Sequence, residues 1–220
     1  MIEFESVNKT YAESWHALVD VSMKFDRGEF AFIIGPTGAG KTTLLRLMYR
    51  EELPTSGRIN IMGFDLVRMP KTDVPELRRH IGVVFQDFKL LMDRTVYDNL
   101  EFVLRVIGTP SGEIAQQVEN TMIRVGILHK RDSYPHQLSG GEQQKVSIAR
   151  ALVKNPDILL ADEPTGNIDP KGALEVLDIL KEINYQGTTV IMATHDISRA
   201  TQARKRFVLV ENGRVKTDAA

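Results

Sequence analysis

Residues 30–50, FAFIIGPTGAGKTTLLRLMYR, constrain this chain more than any other stretch. Phe30, Phe32, Ile33 and Ile34 form an apolar run short enough for a buried strand, and Leu44, Leu45 and Met48 recur as a helix face would. Between them stands Gly35-Pro36-Thr37-Gly38-Ala39-Gly40-Lys41-Thr42-Thr43. In a strand, turn and helix of this kind the glycines let backbone N–H groups wrap an anionic oxygen cluster, and the positive end of the helix adds to the attraction. Gly35 to Thr43 are therefore candidates for phosphate binding, with Lys41 reaching the β- and γ-phosphates and the Thr42 hydroxyl a ligand for Mg²⁺. A chance glycine-rich turn before an ordinary helix is the alternative. Strand, helix and Gly-Lys-Thr together favour nucleotide binding.

At 220 residues the chain suits one well-buried α/β domain with a smaller lobe inserted. Its 28 basic and 29 acidic residues leave a net charge of −1, so no global field holds nucleic acid or an anionic membrane. The absence of cysteine removes disulfides, thiolate metal sites and cysteine nucleophiles together. The start, MIEFESVNKTY, is acidic and lacks the apolar core of a secretory signal. The runs AFIIG, IGVVF and ILLA are far shorter than the roughly 20 residues that cross a bilayer. Any membrane role is expected to need a partner.

Ile2 and Phe4 alternate, as do Val19, Val21, Met23 and Phe25, and Ile59 and Ile61 follow Gly57, which predicts three strands of an antiparallel layer. Tyr11, read as lying in the turn after the first of these, has a ring that can stack on a purine or cover the sheet edge. Ile81-Gly-Val-Val-Phe85 predicts a second core strand ending at Gln86. From about 88 to 138 the pattern turns helical and marks an inserted lobe. Thr95 and Asp98 have the spacing of a capping box, Val96, Leu100, Val103, Leu104 and Ile107 keep helical spacing to Gly108, and Ile114, Val118 and Met122 form a second stripe. Leu138-Ser-Gly-Gly-Glu142 then opens a helix that Ser139 and Glu142 can cap. Ile158 to Ala161 runs into Asp162-Glu163, and Thr188 to Ala193 runs into Thr194-His195. Both read as core strands delivering polar residues at their carboxyl ends, where open α/β sheets bind ligands.

Phosphoryl transfer asks for a phosphate cradle, a metal site, a group that activates water, and charge at the transition state. Asp162, after four apolar residues, is the candidate metal-holding aspartate. Glu163 next to it is the candidate general base. His195 is the candidate contact to a γ-phosphate.

The ordered set GPTGAGKTT, Gln86, LSGGE, ILLADE, Asp169 and His195 resembles the ATP-binding cassette ATPases over nearly the whole chain. That resemblance implies a P-loop NTPase core of ABC type, with an antiparallel β subdomain and an inserted helical subdomain, using ATP and Mg²⁺. It further implies a head-to-tail, ATP-dependent homodimer in which Ser139, Gly140, Gly141 and Glu142 meet the partner's ATP and Asp169 lies at the interface. By the same resemblance Gln86 senses the γ-phosphate and metal, and Tyr11 stacks on adenine. Glu142 stands where glutamine is common. LSGGEQQ and RRHIGVVFQDFKLLMDRTVYDNLEF are similar to the branch serving lipoprotein release, macrolide efflux and cell division, and most of all to its cell-division members. This implies a place on the cytoplasmic face of the cell membrane, a polytopic membrane partner and an indirect link to cell-wall hydrolases. Exporter subunits, and soluble cassettes acting on DNA or ribosomes, are the other readings. Within Asp87 to Met92, Phe88 is the expected anchor for a helix of the membrane partner.

Overall fold

The computed structural model describes residues 1–12, 14–196 and 205–219. The long hairpin β1 (Ile2–Tyr11) and β2 (Trp15–Phe25) joins β4 (Ser56–Ile61) and β5 (Phe64–Asp65) in an antiparallel sheet ordered β2-β1-β4-β5. The expected three-stranded layer is present, extended by β5. The second sheet is built on β3 (Phe30–Ile34), β6 (Ile81–Val84), β7 (Ile158–Asp162) and β8 (Thr189–Thr194), with β9 (Arg206–Glu211) and β10 (Arg214–Ala219) on one side. Its order is β10-β9-β3-β8-β7-β6, parallel except for β10. All five residues of β3 are buried, as a strand covered on both faces requires.

The helix α1 (Lys41–Met48) contributes to the core that the two sheets share. Leu44, Leu45, Leu47 and Met48 are all at most 1% exposed, which at about 1.5–3 kcal/mol per buried side chain anchors the helix firmly. That core also takes Phe4, Val21, Phe25 and Ile61 from the antiparallel sheet and Ile33, Leu160 and Ile191 from the parallel one. A short helix, α2 (Val74–Arg79), leads into β6. Between β6 and β7 come α3 (Val96–Ile107), α4 (Ser111–Arg124) and α5 (Gly140–Leu152). Thr95 caps α3 in a box with Asp98, and Gly108 ends it in a left-handed conformation. Leu100, Leu104, Ile114, Val118 and Met122 pack into one cluster with α5, with α6 (Pro170–Tyr185) and with the other face of the parallel sheet. Among the described residues no helix is long and apolar enough to cross a membrane.

The register Ile34 opposite Thr194 and Asp162 opposite Ala193 brings the carboxyl ends of β3, β7 and β8 level. The phosphate loop, Asp162-Glu163 and His195 therefore leave the sheet side by side.

Candidate active site

β3 is flanked by β8 and β9, so the chain must turn away sharply after Ile34. Gly35 does so at φ 156°, where a Cβ would lie 2.1 Å from the Val210 carbonyl oxygen, and Gly40 at φ 107°, where one would lie 2.6 Å from that of Ala17. Only glycine fits either position. α1 then starts on Gly40 with no side-chain cap and no acidic residue in its first turn. Its opening amides and the helix dipole are left uncompensated, as an anion site needs.

A cavity of about 400 Å³ opens on this loop. Thr37, Gly38, Gly40, Lys41, Thr42 and Thr43 line one side, and Tyr11, Trp15, Arg46, Gln86, Glu163 and His195 line the rest. Gly35, Pro36 and Ala39 complete the turn beneath it, the Ala39 amide bonding to the Pro36 carbonyl at 3.2 Å. Lys41 is 6% exposed and its Nζ donates to the Gly35 and Pro36 carbonyls at 2.8 and 3.1 Å. Glu163 reaches the same ammonium with Oε1 at 3.5 Å, while Oε2 lies 3.0 Å from His195 Nδ1. A carboxylate only accepts, so Nδ1 carries the hydrogen and Nε2 is left to serve other partners. Glu163 itself holds a left-handed φ of 46°, fixed by its amide bonding to the Ala193 carbonyl at 3.0 Å and its own carbonyl accepting from Gly166. Strain of that kind gathers at sites where a side chain must be aimed.

Asp162 stands at the end of β7, and with Thr42 and Gln86 it lines an adjoining hollow of about 420 Å³. Burial pushes its carboxyl above the usual range, opposed by a hydrogen bond from Thr42, and its Oδ1 has no hydrogen-bond partner. An unsatisfied buried carboxylate oxygen beside a hydroxyl suits a hard divalent cation that keeps most of its water.

Ser139, Gly140, Gly141, Glu142 and Asp169 do not line these cavities. Ser139 and Glu142 close a capping box on α5, and Asp169 caps α6 by accepting from Lys171 and Gly172 at 3.0 and 3.1 Å. Those backbone bonds, that of Gly172 first, hold the Asp169 carboxyl low. The two helix starts touch, since a Cβ on Gly141 would sit 3.7 Å from the Gly172 Cα. They form a second polar group, separate from the phosphate loop of the same chain.

Two expectations need correction. Tyr11 ends β1 rather than lying in a turn, and its ring already stacks on Trp15 with centroids 5.0 Å apart. Burial, then Glu52, raises the pKa of its hydroxyl, and Trp15, 58% exposed, presents the open aromatic surface at the cavity. Phe88 does not project as an anchor. It is half-buried against the hydrophobic core, and both Phe88 and Lys89 take left-handed φ values, 56° and 51°. Their carbonyls accept from Arg150 at 2.8 and 2.5 Å. The groove beside them, about 480 Å³, is lined instead by Phe85, Lys89, Val103, Arg150 and Lys154. Spacing also gave no sign of Asn167, whose side chain donates to the Gln86 carbonyl at 3.0 Å and ties that loop to the one after Glu163.

The sequence profile of the ABC transporter family matches residues 18–166. The cell division ATP-binding protein FtsE of Streptococcus pneumoniae (strain D39) is 48% identical over 218 residues, spanning 99% of this chain and 95% of that protein. FtsE of Bacillus subtilis is 47% identical over 99% of this chain and 96% of its own length, and that of Escherichia coli K12 is 46% identical over 97% and 96%. Among solved structures, the ATP-binding cassette MJ0796 in a dimeric post-hydrolysis state with ADP and Pi superposes with a TM-score of 0.90 at 33% identity, over 99% of this chain and 97% of that one. With agreement in sequence and in fold, this chain belongs to the ABC transporter family of ATP-binding cassettes.

Proposed function

We propose that this chain is the ATP-hydrolysing subunit of an FtsE–FtsX-type complex, which relays ATP turnover through a polytopic membrane partner to the cell-wall hydrolases of the division septum. The observation that carries the ATPase chemistry is Glu163 held between Lys41 and His195 at the mouth of the phosphate loop. The division role rests on near-half identity with FtsE proteins along the whole chain.

In this reading the backbone amides of the loop and Lys41 take up the charge of the β- and γ-phosphates, exchanging the Gly35 and Pro36 carbonyls for phosphate oxygens. Glu163 orients and deprotonates the attacking water, steadied by His195, whose other ring nitrogen contacts the γ-phosphate. Gln86 reaches the same phosphate from the lobe boundary, and the aromatic pair Tyr11 and Trp15 receives the adenine. Thr42 and Asp162 would hold Mg²⁺, with Gln86 alongside, and the ion would supply neutralisation of phosphate charge. Ser139, Gly140, Gly141 and Glu142 lie outside their own chain's cavity, so they serve the ATP of a second copy, with Asp169 at that interface. In this reading the groove carrying Phe85, Val103, Arg150 and Lys154 seats a short helix of the membrane partner, and the chain works at the cytoplasmic face.

Affinity capture of the full-length chain from detergent-solubilised membranes tests this reading. Recovery of a polytopic protein of FtsX type supports it. A lipoprotein-release or macrolide exporter subunit in its place, or ribosomes or DNA, overturns the division assignment.

A further inference from the structure

The LSGGE segment carries glutamate at its fifth position, and the structure surrounds that carboxylate with donors. Glu142 Oε2 accepts from the Ser139 amide at 2.8 Å and from the Ser139 hydroxyl at 2.9 Å, while Oε1 lies 3.1 Å from Lys130 Nζ. Lys130 ends the 3₁₀ turn Leu128–Lys130 of the helical lobe, and among the described residues Glu142 is its ion-pair partner. These donors, the Ser139 amide first, hold the Glu142 carboxyl below the usual range, so it is ionised at neutral pH.

A bare carboxylate in the first turn of α5 opposes the approach of a triphosphate to that helix start. Paired with an ammonium, the same group is neutral. Lys130 also draws charge from the carboxylate that holds the Ser139 hydroxyl hydrogen, which leaves that hydrogen easier to turn towards a phosphate oxygen. Glutamine would serve differently. Its single oxygen is needed by the Ser139 amide, and its NH₂ would then face the Lys130 ammonium, donor against donor. The geometry points to Lys130 as a positioning residue of the ATP sandwich, neutralising Glu142 so that Ser139 and the start of α5 can accept the triphosphate of the opposite subunit. This rests on the reading that the LSGGE segment acts across a dimer.

The test uses the full-length chain carrying Glu163→Gln, with ATP and Mg²⁺, and measures the dimer dissociation constant by analytical ultracentrifugation. Adding Lys130→Ala is expected to weaken each site about fivefold, the upper end for an exposed ion pair. Because two sites close together, the dimer constant rises about twenty-five-fold. Lys130→Arg keeps dimerisation, and Lys130→Ala combined with Glu142→Gln restores it to within about threefold, since neither unpaired charge remains. Thermal unfolding and nucleotide binding by the monomer stay as in the parent. No ATP-dependent dimer in the parent overturns the cross-dimer reading and this inference with it. A parent dimer that Lys130→Ala leaves equally tight, or that the double substitution fails to restore, overturns the role of Lys130 alone. A matching loss of nucleotide affinity in the monomer does the same, by assigning the effect to the chain's own site.

Discussion

Replacing Lys154 with methionine should make this protein more stable while weakening its hold on a membrane partner. The ammonium sits in the groove between the lobes, donating to the Arg78 carbonyl, and burial together with the neighbouring Arg78 charge pulls its pKa from 10.5 to about 8. At about 1.4 kcal/mol per unit that shift corresponds to about 3 kcal/mol. The groove is open to solvent, which screens the charge and brings the recoverable part to about 1–2 kcal/mol. Methionine keeps the apolar stem and drops the charge, and the Arg78 carbonyl it abandons can turn to groove water. For a chain of this size the gain is a rise of about 2–8 °C in Tm at pH 7. The sign with pH follows from the depressed value. Between pH 8 and 10.5 the unfolded chain keeps a proton that the folded one has shed, so wild-type stability from this group rises with pH across that window. The gap between variant and wild type is therefore full below pH 8 and closes towards pH 10.5. Thermal unfolding of both proteins at pH 7, 8, 9 and 10 without nucleotide measures it. A variant no more stable at pH 7, or a gap that widens as pH rises, refutes the reasoning. The same preparation should capture less membrane partner, because Arg78, Lys89, Arg150 and Lys154 line the groove with Glu51 as the acid among them, a charge balance that favours a carboxylate-bearing helix.

Lys41→Ala removes phosphate neutralisation and should abolish ATP binding, whereas Glu163→Gln should bind ATP normally and lower kcat by about 10²–10⁴-fold, measured as phosphate release against nucleotide-analogue affinity. A heterodimer of Lys41→Ala with Ser139→Arg retains one intact composite site and should hydrolyse ATP faster than either mutant homodimer; equal rates with mixed dimers present count against action across the dimer. Trp15→Ala should raise the Kd for ATP about tenfold through lost stacking while changing that for inorganic triphosphate little, read by isothermal titration. Phe88→Ala, set against the core rather than facing a partner, should lower Tm by several degrees, and an unchanged Tm with lost partner capture would restore it as an anchor.

The part of the site legible in the sequence is the part whose chemistry fixes both residue type and local spacing. Gly35 to Thr43 need one turn, and Asp162, Glu163 and His195 need only the end of an apolar strand, so a short window carries the whole signal. The two capping boxes were equally local, three residues from Thr95 to Asp98 and from Ser139 to Glu142. What escaped depends on contacts distant in the chain or on backbone geometry. Trp15 meets Tyr11 because a hairpin folds one over the other, which alternation alone does not reveal. Phe88 lies in an apolar run too short to show a period, and its segment has a left-handed backbone whose carbonyls are held by Arg150, 62 positions away. α6 did carry local signals, Asp169 as cap, Pro170 at its first position and Ala173, Val176, Leu177, Leu180 and Ile183 at helical spacing. The hairpin of β9 and β10 offered little, since β10 is mostly exposed and polar.

Placement of the polar groups accords with the proposal that two copies of this chain complete each ATP site. The parallel sheet delivers the phosphate loop, Asp162, Glu163 and His195 to the carboxyl ends of its strands, and there Glu163 lies 3.5 Å from Lys41 and 3.0 Å from His195. The starts of α5 and α6 hold an equally ordered set, Ser139, Glu142 and Asp169, yet among the described residues the bonds those side chains make are to their own helix start or to Lys130. A helix start already capped by its own residues does not need a ligand to fold, so this second set is ready before ATP arrives. The phosphate loop is prepared differently, with Lys41 resting on backbone carbonyls that a phosphate would replace. In the proposed cycle ATP draws Lys41 off those carbonyls, while the second set meets it with only the Ser139 hydroxyl hydrogen to turn. Asn167 and Arg150 fasten the segment after Gln86 to the neighbouring loop and to α5, beside the groove that Lys89 and Arg150 line.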